Sequence, residues 1–181
     1  MNARVKHIVT CGMLAAIAAV LFYFPEFPLP FLPPWLKIDF SFVPVLLGGF
    51  SMGPLYGVVI LLVKDLIGLL HSSSAFIGEL ADFLMGLAIL LPAAILYHRN
   101  RTRKTALIGL AIGTALMSVV AIFCNQYLLL PLYMNTMGMS IDVSAYLYLG
   151  VLPFNLIKGV LVSLVTFILY KRLRNLHALA Q

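Results

Sequence analysis

The sequence predicts an all-α integral membrane protein, a six-helix bundle with both termini cytoplasmic. Three observations carry that prediction. Of its 181 residues, 62% are hydrophobic and only 10% charged, with a mean hydropathy of +1.06. A soluble domain carries about a quarter charged residues, and one core cannot hide this much apolar surface, so the solvent is lipid. In lipid every backbone N–H and C=O is satisfied internally, which leaves helices or a closed barrel. The apolar runs are long and do not alternate, which selects helices. Finally, nine of the twelve lysines and arginines lie in three clusters: Arg4 and Lys6, the RNRTRK run at 99–104, and Lys171, Arg172 and Arg174. The loops between them on the other side hold Lys37 with Glu26, Asp39 and Asp142. By the positive-inside rule the clusters face the cytoplasm. The net charge of +6 is thus a topology signal, and a nucleic-acid surface is the weaker reading.

The whole chain, 1–181, reads as one transmembrane domain. Its first span covers 6–24. A charged start followed by an apolar run resembles a leader, but the run is long for one and no small-x-small cleavage site follows, so it reads as a span. An external loop at 25–40 follows, with five prolines between Pro25 and Pro34, which excludes a helix interior. Its aromatics Phe27, Phe31, Trp35 and Phe40 suit a lid over an outward pocket, or an interfacial belt. The second span, 41–52, ends at the Gly53-Pro54 turn, and the third covers 55–70. Both are shorter than the roughly 20 residues of a straight span, which calls for tilt or for ends buried in protein. After Ser72, Ser73 and Ser74, the fourth covers 77–98. The fifth, 105–130, is expected to stop at Pro131, with a loop over 132–145. The sixth covers 146–170. Cys11 and Cys124 lie inside apolar runs, so neither a disulfide framework nor a metal site is indicated.

Ionisable groups at membrane depth are costly and usually functional. Here they are Lys64, Asp65, Glu79, Asp82 and Lys158, joined by the amides Asn125 and Asn155. The predicted orientation puts all of them in the outer half of the bundle. Asn125 lies about one and a half turns from the outer end of its span, and Asn155 and Lys158 two to three turns in. Asn155 and Lys158 are i and i+3 and share a helix face. A pore or proton relay needs polar groups through the full thickness; a site loaded from outside needs them only here. For Lys64 and Asp65, solvated helix ends are an equal alternative. Ala15–Ala19 and Gly109–Gly113 are small-xxx-small pairs that fit either internal packing or a partner subunit. No P-loop, HExxH, Cys/His cluster or GxSxG occurs, so no catalytic residues or metal ligands are assigned and an enzyme is not expected.

Four blocks in order, KIDFSFVPVLLGGFSMGPLYG (37–57), GELADFLMG (78–86), NQYLLLPLY (125–133) and LPFNLIKG (152–159), resemble the riboflavin-specific substrate-binding (S) components of energy-coupling factor (ECF) vitamin importers. The chain departs from that pattern at Phe42, where an acidic residue is frequent, and at Asp82, where asparagine is usual. The resemblance implies a multi-pass protein of a bacterial cell membrane that binds riboflavin from outside. It implies as partner a coupling module of one transmembrane protein and two ATPases, docked through Ala15 and Ala19. It implies ligand binding by Asn125, Asn155 and Lys158 with Glu79 close by, and Leu36, Asp39 and Phe40 complete the candidate set. The chemistry agrees. Riboflavin is uncharged, with a flat apolar ring, an imide edge and a polyol. Amides donate and accept, Lys158 can donate, and a carboxylate such as Glu79 can balance its charge. Another vitamin or flavin mononucleotide on the same scaffold, and a ligand-free structural membrane protein, are the alternatives.

Overall fold

The computed structural model describes residues 3–28, 36–72, 76–138 and 142–179; Phe31 and Trp35 of the lid loop lie outside them. Helix α1 (Ala3–Tyr23) leads into β1 (Phe27–Pro28), which pairs antiparallel with β2 (Lys37–Ile38), Phe27 opposite Ile38. The two ends of the lid loop are thereby tied together, and Lys37 Nζ donates to Glu26 Oε2 at 2.5 Å across the tie. Four stretches among the described residues are long and apolar enough to cross a membrane: Val5–Tyr23, Ile77–Arg99, Arg103–Asn135 and Val143–Tyr170.

The two short segments are α2 (Phe42–Met52, 11 residues) and α3 (Pro54–Gly68, 15 residues). A helix that is apolar on all sides belongs in a core, and α2 is one: Phe42, Val43, Val45, Leu46 and Phe50 are all buried. Its start and middle are covered by protein, so it need not be long enough to span lipid. Gly53 joins it to α3 with φ 118° and ψ 161°, a conformation essentially reserved for glycine, and Pro54 starts α3 where its missing N–H costs nothing. Helix α3 turns Ile60, Leu61 and Lys64 inward and leaves Leu55, Leu62 and Leu66 exposed. Exposed apolar side chains recur on α1 (Ile8, Met13, Ile17, Val20) and at Leu107, Ile112, Val119, Leu164 and Ile168, as expected of a surface solvated by lipid.

The fourth helix, α4 (Ile77–Arg99), turns back through three residues into α5 (Arg103–Cys124). The turn is closed by Thr102, whose Oγ1 accepts from the Thr105 N–H at 3.1 Å, a helix cap. The expected stop at Pro131 does not occur. Helix α5 runs through a π turn (Asn125–Leu129) into α6 (Leu130–Met137). The last helix repeats the device: α7 (Val143–Ala145), a π turn (Tyr146–Val151), then α8 (Leu152–Leu179). Pro131 and Pro153 each follow the end of a π turn by two residues. Proline lacks an N–H and its ring crowds the carbonyl four residues back. In the first π turn the bonds already reach five residues back, with Leu130 N–H donating to Asn125 O, so the proline sits where the ladder is widened and the helix continues. The loop expected over 132–145 is accordingly helical up to Met137 and again from Val143.

Both small-residue pairs face the protein's own helices. A Cβ built on Gly109 would stand 3.0 Å from the Ala93 backbone, and one on Gly113 would stand 2.5 Å from the Ile89 carbonyl oxygen. That pair is the seam between α4 and α5. Ala15 and Ala19 are also turned inward, 4% and 8% exposed. Among the described residues of α1, Gly12 and Ala16 are exposed, four apart on one face. At the end carrying the 99–104 loop, Tyr97 and Tyr170 share a hydroxyl–hydroxyl hydrogen bond of 2.6 Å, with the Phe50 ring 4.8 Å and 5.8 Å from theirs. That bond fixes α4 to α8.

Candidate functional site

At the opposite end, beneath the β1–β2 tie, lies a cavity of about 370 Å³, within the usual range for small-molecule sites. Its wall is assembled from several elements. Phe22 and Tyr23 come from α1, Leu36, Lys37 and Asp39 from the exit of the lid loop, and Phe42 from α2. Glu79 and Asp82 come from the first turns of α4, Asn125 and Leu129 from the first π turn, Tyr146 and Val151 from the second, and Asn155 and Lys158 from α8. The walls are thus aromatic and apolar with convergent polar groups.

The charges form one buried chain. Lys158 Nζ donates to Asp39 Oδ2 at 2.7 Å and to Asp82 Oδ1 at 3.0 Å. The other oxygen of Asp82 accepts from Lys64, which also donates to Asp65 Oδ1 at 2.6 Å. Lys64 is 0% and Lys158 5% exposed, so neither is a solvated helix-end charge; the alternative left open for Lys64 and Asp65 is resolved towards burial. Unpaired, either ammonium would be prohibitively costly at this depth; paired on both sides, each is held in one position. The Phe42 ring lies beneath both, 4.4 Å from Lys158 Nζ and 5.4 Å from Lys64 Nζ, and Phe22 lies 4.3 Å from Lys64, a favourable placement for a desolvated cation. Phe42 and Asp82, the two positions at which the sequence departs from the family pattern, therefore meet at the same pair of lysines. Asp39 also anchors the start of α2, where its Oδ1 accepts from the Ser41 N–H at 2.8 Å.

Both asparagines are set by the helix irregularities. Asn125 Nδ2 donates to Ala121 O and Asn155 Nδ2 to Val151 O, each at 2.8 Å. Each amide thus returns a hydrogen bond to its own helix beside a π turn, which orients the side-chain plane at the cavity wall. π turns are frequent at functional sites.

Six of the seven expected ligand-binding residues, Leu36, Asp39, Glu79, Asn125, Asn155 and Lys158, line this one cavity. Phe40 does not; it packs half-buried against the hydrophobic core. The carboxylates that balance Lys158 are Asp39 and Asp82, whereas Glu79, suggested for that role by the sequence, accepts from Ser72 Oγ at 2.8 Å. Asp82 and the aromatic wall of Phe22, Phe42, Tyr133, Tyr146 and Phe154 were not among the expected site residues. Asp82 was visible as an ionisable residue at membrane depth and as a departure from the family pattern, and its position one turn beyond Glu79 on α4 was the available signal.

Comparison with known proteins gives a consistent result. Residues 6–170 match the family described as ECF transporter, substrate-specific component. The chain is 42% identical to the riboflavin transporter RibU of Staphylococcus aureus over 94% of this chain and 91% of that protein. It is 33% identical to the riboflavin transporter FmnP of Bacillus subtilis over 94% and 93%. A solved S component of a bacterial ECF transporter superposes with a TM-score of 0.83 at 43% identity, covering 96% of this chain and 98% of that one.

Proposed function

Because this chain belongs to the substrate-specific components of ECF transporters, we propose that it captures riboflavin outside a bacterial cell and passes it inward with an ATP-driven coupling module. The observation that carries the reading is the cavity itself. Aromatic walls suit a flat ring system, and Asn125, Asn155 and Lys158 converge as amide and ammonium partners for an imide edge. The charge clusters at 4–6, 99–104 and 171–174 support an orientation with both termini inside and the cavity outside. Protein purified from cells supplied with the vitamin should be yellow, with flavin absorbance at about one equivalent. A colourless protein that takes up no riboflavin at micromolar concentration would sink the proposal. Binding by right-side-out but not by inside-out vesicles checks the orientation in the same preparation.

The partner is a transmembrane coupling protein with two ATPase subunits, engaged through α1. Ala15 and Ala19 are covered by the protein's own helices, so the contact we favour is the exposed Gly12–Ala16 face, where the space around Gly12 is open. Close helix approach needs small residues. Ala16→Leu should therefore prevent co-purification with the module while riboflavin binding stays as in the native chain. Retained assembly in Ala16→Leu, with loss in Ala15→Leu only, would return the contact to the inward-facing pair.

A further inference from the structure

Two carboxylates hold Lys158, and they are anchored differently. Asp39 sits at the exit of the lid loop and also accepts from the Ser41 N–H. Asp82 spans two cations: its Oδ1 accepts from Lys158 at 3.0 Å and its Oδ2 from Lys64. Lys64 stands behind the cavity wall, 0% exposed and bonded to Asp65 Oδ1 at 2.6 Å. Asp82 is thus clamped from behind and presents one oxygen to Lys158. A lysine ammonium on its flexible stem has many positions open to it, and two tethers from different elements leave it one. Phe42 is in turn the side chain whose ring lies beneath both ammonium groups, 4.4 Å from Lys158 Nζ and 5.4 Å from Lys64 Nζ. A glutamate carboxylate stands about as far from its Cβ as the centre of a phenylalanine ring does, so a carboxylate on position 42 would reach the same two cations. Phe42 also opens α2, whose first turn holds no acidic residue. A carboxylate there meets the positive end of the helix dipole.

We infer that Asp82 is a positioning residue: it acts on the ligand through Lys158 by supplying the negative charge between two buried ammonium groups, and position 42 at the start of α2 is a second seat for that charge. The inference rests on the riboflavin reading above and names how its ligand-facing cation is held. Three roles for Asp82 predict different behaviour. If it served packing alone, the isosteric asparagine would serve as well. If it touched the ligand, only a carboxylate at position 82 would serve. If it supplies charge to the lysine pair, a carboxylate reaching the pair from α2 restores what the asparagine loses, because a buried cation deprived of its partner is the costly state.

Riboflavin fluorescence titrations of the purified full chain in detergent, with melting temperatures from the same preparations, test this. Asp82→Asn is expected to bind riboflavin about tenfold to a hundredfold more weakly, the range usual for partners that orient a liganding group. In the Asp82→Asn background, Phe42→Glu should bind at least about tenfold more tightly than Phe42→Leu, which removes the same ring and brings no charge. With Asp82 intact that order should vanish or reverse, since a second carboxylate is then surplus. Asp82→Asn binding within about threefold of the native chain overturns the positioning role. Equal binding by the Phe42→Glu and Phe42→Leu variants of Asp82→Asn overturns the second seat, as does failure of the Phe42→Glu/Asp82→Asn protein to fold. Should Asp82→Asn alone not fold, the two double variants carry the test: Phe42→Glu/Asp82→Asn that folds and binds beside an unfolded Phe42→Leu/Asp82→Asn supports the inference. A native chain that binds no riboflavin refutes the riboflavin reading and the inference with it, whereas native binding without the rescue refutes the inference alone.

Discussion

Lys158→Met is expected to eliminate riboflavin binding at micromolar concentration and to lower the stability of the protein by about 3–5 kcal/mol, the usual consequence of removing one partner from a buried ion pair. Methionine keeps the length and apolar stem of lysine, so packing against Phe42 is retained and the change isolates the charge. Two buried carboxylates, Asp39 and Asp82, lose an ammonium group 2.7 Å and 3.0 Å away. The ligand loses a charged donor, worth about 1.5–3 kcal/mol where it faces a carbonyl, and the remaining affinity falls further as the freed carboxylates repel one another. A double variant separates the two effects. In Asp39→Asn/Lys158→Met one orphaned charge is gone, so thermal melting in detergent should recover in part, while flavin titration should still find no binding. If Lys158→Met binds riboflavin within threefold of the native protein, Lys158 is a structural cation and the ligand assignment is wrong.

How far the site was legible follows from which of its features are local. Asn155 and Lys158 are one helical turn apart, and that spacing alone placed them on a common face. The positions of Glu79 and Asn125 near helix ends followed from the limits of the apolar runs. The partners of Lys158 did not follow, because they are tertiary: Asp82 lies 76 residues and Asp39 119 residues away in the chain. No local pattern distinguishes Asp82, which bridges two lysines, from Glu79, which faces the same cavity one turn earlier. The π turns were missed for a related reason. Pro131 inside an apolar run reads as a terminator, and only the widened turn before it lets the helix continue past. The small-residue pairs carried equal weight in the sequence, yet Gly109–Gly113 and Ala15–Ala19 both face inward while Gly12–Ala16 faces out. Spacing states that two residues share a face and says nothing of what that face meets. The all-α fold was legible because composition and unbroken apolar runs leave lipid and helices as the only consistent solution.

Gly113→Val is expected to be the most disruptive single substitution away from the cavity. The Cβ would stand 2.5 Å from the Ile89 carbonyl oxygen and 3.2 Å from the Ile89 carbonyl carbon and Cα. These are backbone atoms of α4, which no rotamer change can move. Relief requires the α4–α5 seam to open. Overpacking of this kind costs about 1–3 kcal/mol, occasionally more, and here it also displaces function, since α4 carries Glu79 and Asp82 and α5 leads directly into the π turn that begins at Asn125. Riboflavin affinity should fall along with the melting temperature, although no ligand-facing residue has changed. Gly48 supplies the contrast. A Cβ there would clash with the Ile60 Cδ1 methyl, the far end of a side chain, so the clash is removable. Ile60→Val should rescue Gly48→Ala, whereas Ile89→Ala should leave Gly113→Val as defective as before. Rescue of Gly113→Val by Ile89→Ala would mean that the seam is held by side chains and that α4 and α5 tolerate separation. Failure of rescue there, together with success at Gly48, identifies backbone contact between α4 and α5 as the element that keeps the carboxylates of one helix in register with the amide of the next.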